Sequence, residues 1–68
     1  MADTVTLQDG VDPATVVKWR GNVTYPLRSR RAAERAMGIV ATPGDSVNVF
    51  RVVQLGSQRW YVQVGQRV

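Results

Sequence analysis

A chain of 68 residues makes one small domain, and at that length roughly 60% of the unfolded surface is buried, so stability is marginal without a staple or a partner. The chain has no cysteine and no histidine, which excludes disulfides, thiolate chemistry and the usual zinc and transition-metal sites, and no cofactor is expected. Nine basic side chains against five acidic ones give a net charge of +4, and every basic residue except Lys18 is an arginine.

The charge is unevenly spread. Asp3, Asp9 and Asp12 all fall in the first twelve residues, which carry no Lys or Arg. The remainder is strongly basic and favours anionic partners. Residues 1–12 therefore read as an acidic N-terminal segment, either a flexible tail or, through Val5 and Leu7, a short edge strand broken by Gln8-Asp9-Gly10. No basic stretch leads into an apolar run and no segment is apolar enough to cross a bilayer, so an intracellular, cytoplasmic protein without a membrane partner is expected.

Asp12-Pro13 is a helix-start signal, but Thr15-Val16-Val17-Lys18-Trp19 is dominated by strand formers. A strand over residues 15–20 is predicted, the alternative being a short helix ended by Gly21. Gly21-Asn22 then reads as a turn and Val23-Thr24-Tyr25 as a second short strand, closed by Pro26.

The stretch from Pro26 to Val40 carries the one helical pattern. Ser29 suits an N-cap, Gly38 a C-terminal stop, and Arg30 to Met37 are rich in helix formers. Ala32, Ala33, Ala36, Met37, Ile39 and Val40 fall on one arc, and Arg28, Arg30, Arg31, Glu34 and Arg35 on the opposite one. Three alanines let such a helix approach a sheet closely, so bulk must come from the sheet, where Trp60, Val53, Val62 and Trp19 are available. Ala41-Thr42-Pro43-Gly44-Asp45 is a turn by composition.

The last third reads as a β-hairpin. Two β-rich runs flank Gly56-Ser57, a two-residue turn with Gly first. In that register Val53 faces Trp60 and Val52 faces Tyr61. Val47, Val49, Val53, Leu55, Trp60, Val62 and Val64 then form a core face, and Phe50, Val52, Arg59 and Tyr61 lie on a mixed outer face. The fold class is α+β: a single domain, an antiparallel sheet of three or four strands packed by one amphipathic helix, in the order β-β-α-β-β.

Catalysis finds little to work with. The carboxylates are scattered, no Gly-rich phosphate loop occurs, and the commonest general base and strongest nucleophile are missing, so a non-enzymatic protein is expected. The sharpest feature is the cluster Arg28, Arg30, Arg31 and Arg35, whose guanidinium groups can take phosphate oxygens bidentately. Positive charge at the start of a helix opposes its macrodipole, so helix stability does not ask for it there. The bland alternative is a solvated face with Glu34 paired to Arg30 or Arg31. Phe50, Tyr61 and Arg59 resemble, in residue type, sheets that stack bases beside basic groups, and Lys18 and Arg20 flank Trp19 in a second basic and aromatic grouping.

Two functions follow: a small basic protein that contacts nucleic-acid phosphates through the arginine-rich helix, or a protein–protein interaction module that docks on an acidic protein surface as an assembly subunit or inhibitor. In size, basicity and lack of cysteine and histidine the chain resembles short accessory proteins encoded by bacterial viruses. With no staple visible, a homo-oligomer is a further route to stability.

Overall fold

The computed structural model describes residues 5–42 and 44–68. The elements are strand β1 (Val5–Leu7), strand β2 (Val17–Asn22), helix α1 (Arg30–Val40), strand β3 (Asn48–Gln54) and strand β4 (Trp60–Arg67). The strands form one antiparallel sheet in the spatial order β1-β3-β4-β2, and α1 packs on one of its faces over the central pair. The protein is thus α+β with the order β-β-α-β-β. Among the described residues, no helix is long and apolar enough to cross a membrane.

The loop between β3 and β4 has three residues, not two. Leu55 N donates to Arg59 O at 3.0 Å and Arg59 N to Gly56 O at 3.1 Å, while Gln58 takes a left-handed conformation with φ of 56°. The second bond closes a tight turn with Ser57 and Gln58 at its centre, and the left-handed residue is the later of the two. The pairs are Gln54 with Trp60, Val53 with Tyr61, Val52 with Val62 and Phe50 with Val64. A slip of one residue from the two-residue register turns the whole of β3 over relative to β4. The expected core face is therefore corrected: Phe50 and Val52 join Trp60 and Val62 beneath the helix, and Val49 and Val53 lie with Tyr61 on the reverse face.

The core under α1 contains Ala33, Met37, Val52 and Val62, with Leu27, Ala36, Phe50 and Trp60 packed around it. Small residues on the helix do meet large ones on the sheet. The apolar arc is narrower than its composition suggests, because Ala32 is exposed and Ile39 is 79% exposed. Ser29 caps the helix by accepting from Ala32 N at 3.1 Å, and the helix runs past Gly38 to Val40, where Ala41 N donates to Met37 O at 2.8 Å.

Trp19, expected on the helix side, covers the reverse face. It lies over Gly65, where an added Cβ would run into Val17 and would stand 2.7 Å from the indole Cε3. The Arg51 guanidinium stacks on the Trp19 ring, 4.1 Å from its centroid, and Arg51 Nε donates to Gln63 Oε1 at 2.9 Å. Partial burial lowers the Arg51 pKa from its ordinary value, though a guanidinium stays charged at any ordinary pH. Val49 and Val53 are buried on this face, at 0% and 3% exposure.

The edges differ from expectation in detail. Val5–Leu7 forms an edge strand on β3, and Gln8 continues it by donating to Phe50 O at 3.0 Å; residues 1–4 of the acidic segment lie outside the described residues. Asp12-Pro13 opens a turn instead of a helix, with Ala14 N donating to Asp12 Oδ1 at 2.9 Å. Gly21-Asn22 sits inside β2, just after a bulge between Trp19 and Gly21, and Val23 to Tyr25 is not a strand. That stretch still rides along β4: Val23 N donates to Val62 O at 2.8 Å, Thr24 Oγ1 accepts from Val62 N at 3.2 Å, and Leu27 bridges to Trp60. Pro43, in the turn read between the helix and the hairpin, lies outside the described residues. After it, Asp45 accepts from Val47 N and Asn48 N at 2.9 and 3.0 Å, and these bonds hold its carboxyl below the usual carboxylate range.

Left-handed backbone at a non-glycine residue costs about 1–2 kcal/mol. Gln58→Gly should therefore raise the melting midpoint by several degrees, since about 1 kcal/mol corresponds to roughly 4–8 °C in a domain of this size. In a two-residue loop Gln58 would be extended strand, and the same substitution would lower the midpoint.

Candidate nucleic-acid interface

Helix geometry divides the four arginines into two roles. At about 100° per residue, Ala33 and Met37 point one way, Arg31 and Arg35 point nearly opposite, and Arg30 falls to one side beside Glu34. The packing agrees. Ala33 and Met37 are buried, Arg28, Arg31 and Arg35 are exposed, and Arg30 is half-buried.

Arg30 Nη2 donates to Thr6 Oγ1 at 2.7 Å, and Nε donates to Glu34 Oε1 at 3.2 Å. It is a tie between α1 and β1 and so leaves the outward cluster. The i,i+4 pair, about two-fifths exposed at each end, is worth about 0.3–0.5 kcal/mol, and the bond to Thr6 roughly 1 kcal/mol. Arg28, Arg31 and Arg35 have no carboxylate within ion-pair distance among the described residues. The first turn of α1 carries no acidic residue and the last turn no basic one, the reverse of what the macrodipole favours. A shallow groove of about 390 Å³ runs along this flank, lined by Ser29, Arg31, Ala32, Arg35, Ala36 and Ile39.

Phe50, Tyr61 and Arg59 do not form one surface. The register places Phe50 against the core under α1 and Tyr61, half-buried, on the reverse face with the exposed Arg59. The expected stacking platform is thus corrected by the same one-residue slip that reorders the core. Lys18 and Arg20 are both exposed, but Trp19 between them points to the opposite face of the sheet, over Gly65. Lys18 pairs with Gln66, which shares the helix side of the sheet with Val62, and Arg20 Nη2 reaches that same Gln66, donating to its Oε1 at 3.1 Å. Lys18 and the Arg20 head group therefore lie on the same side of the sheet as α1.

One exposed group escaped the sequence reading. Tyr25, placed there in a strand, is 90% exposed in the stretch between β2 and α1. Its neighbour Pro26 was a signal that the strand would not continue. Comparison with family models, curated proteins and solved structures returned no match.

If Arg30 is a structural tie, Arg30→Ala should lower stability by roughly 1 kcal/mol and speed exchange of the Gln8 amide, as β1 loosens from the helix. Arg31→Ala should change neither. Equal effects of the two substitutions, read by thermal melts and amide exchange, would contradict this division of roles.

Proposed function

We propose that the protein is a non-enzymatic nucleic-acid-binding domain that contacts phosphates through the outward face of α1. One observation carries the reading: Arg31 and Arg35 stand one turn apart on the exposed side of the helix, Arg28 is exposed just ahead of its N-cap, and none of the three has a carboxylate partner among the described residues. They take no part in the core, and Arg31, in the first turn of the helix, opposes its macrodipole by a few tenths of a kcal/mol. A placement against local preference, with no return in packing, supports use toward a ligand. Guanidinium groups on adjacent turns suit phosphate oxygens, and contacts of that kind are largely indifferent to base sequence.

The competing reading is docking on an acidic protein surface. Ile39, 79% exposed beside Arg35 along the same groove, favours it, because an apolar anchor ringed by arginines is a common centre of protein interfaces. Phe50 cannot serve as such an anchor without leaving the core.

The readings separate by salt. Three phosphate contacts on duplex DNA give a slope of log affinity against log salt of about −3. Arg31→Ala with Arg35→Ala should shallow it by about two units, whereas Arg30→Ala should leave it unchanged. Binding that is insensitive to salt but lost in Ile39→Ala would favour the protein partner. Absence of binding to any nucleic acid, duplex or single-stranded, at low salt would overturn the proposal.

A further inference from the structure

α1 packs over β3 and β4 and leaves edge strand β2 outside its footprint. The two flanks of the helix differ in charge. Toward β1, a cleft of about 520 Å³ is lined by Glu34 and Asp9 among neutral residues, and Arg30 on that side is already paired with Glu34. Toward β2, the helix presents Arg31 and Arg35 along its groove, and the sheet presents Lys18 and Arg20. Among the described residues, this second corner carries no carboxylate paired with any of the four cations.

Tyr25 stands on the same edge. The stretch that carries it is fixed to the β2 side of β4 at Val23, Thr24 and Leu27, and Pro26 locks one of the backbone angles that follow. The phenol ring is nonetheless 90% exposed. It makes no hydrogen bond and no cation–π contact among the described residues. An aromatic ring buries some of the largest apolar area of any side chain, so a ring left in solvent on a pinned backbone is prepared to cover something else. Arg28 follows three residues later, just ahead of the N-cap of α1.

We infer that this corner takes single-stranded nucleic acid: Tyr25 stacks on a base, and Lys18, Arg20, Arg28, Arg31 and Arg35 hold the backbone on either side. The inference rests on the phosphate-contact reading of α1 and adds the kind of nucleic acid. A duplex keeps its bases stacked on one another and has no face to offer Tyr25, whereas every base of a single strand does. Positive charge that tracks the backbone, joined to an aromatic that stacks without regard to sequence, is the combination that single-strand recognition uses.

The test compares a labelled oligothymidylate strand with a duplex of the same length by fluorescence anisotropy. At equal salt the strand should bind more tightly. Tyr25→Ala should weaken strand binding by about 5- to 100-fold without altering the salt slope, since no charge is lost, and Tyr25→Phe should bind as the parent does. Because Tyr25 is exposed, its melting midpoint should not move. Lys18→Ala with Arg20→Ala should shallow the slope on the strand by about 1.4 units. If Tyr25→Ala binds the strand as well as the parent, or the duplex binds more tightly than the strand, the inference is wrong while the phosphate reading stands on its own duplex slope. If neither nucleic acid binds at low salt, both fail.

Discussion

The pairing of β3 with β4 is the constraint on which the remaining structure depends. These strands form the middle of the sheet, α1 packs on them, and both edge strands attach to them. Gly56, Ser57 and Gln58 set their register at the expense of a left-handed glutamine, a strain of about 1–2 kcal/mol. In return Phe50, Val52, Trp60 and Val62 face the same way, against Ala33 and Met37. Full burial of one such side chain is worth about 1.5–3 kcal/mol, so aligning four of them outweighs the strained residue.

The same register decides what becomes of the reverse face. It places Arg51 opposite Gln63 and Val49 opposite Gly65, and the missing side chain of Gly65 makes room for Trp19. Trp19 in turn offers its ring to the Arg51 guanidinium, and Gln63 accepts from Arg51 Nε while its own Nε2 donates to Asn22 Oδ1 at 3.0 Å. A charged residue in the centre of a sheet is tolerated because its planar group is stacked on one side and hydrogen-bonded at its edge. Trp19 and Arg51 on this face are thus engaged with one another. Arg31 and Arg35 of α1 have no ion-pair partner among the described residues, and that contrast is why the proposed contact with nucleic acid is placed on the helix side.

Local signals carried the element order. Ser29 announced the helix start, the alanine-rich arc announced a close helix–sheet contact, and β-branched runs around Gly56-Ser57 announced the hairpin. Register was not legible, because left-handed positions are normally marked by glycine or asparagine and here the residue is Gln58. The faces assigned to Val49, Phe50, Val52 and Val53 were inverted as a result. Gly21-Asn22 looked like a turn because a bulge and a turn draw on the same residues. The candidate site was legible to the extent that it is local: the arginine cluster is visible in the chain, but the partner that withdraws Arg30 from it is Thr6, brought near only by the pairing of β1 with β3. The exposure of Tyr25 likewise depends on where β4 holds the stretch around it.

Register is measured directly by nuclear Overhauser effects across the hairpin. In antiparallel pairs that exchange no backbone hydrogen bonds the α-carbons approach most closely, and the bond from Leu55 N to Arg59 O makes Val52–Val62 and Phe50–Val64 pairs of that kind. The account predicts strong Hα–Hα contacts between Val52 and Val62 and between Phe50 and Val64. Contacts joining Val52 to Tyr61 and Phe50 to Gln63 instead would contradict it, and with it the assignment of every side chain to a face.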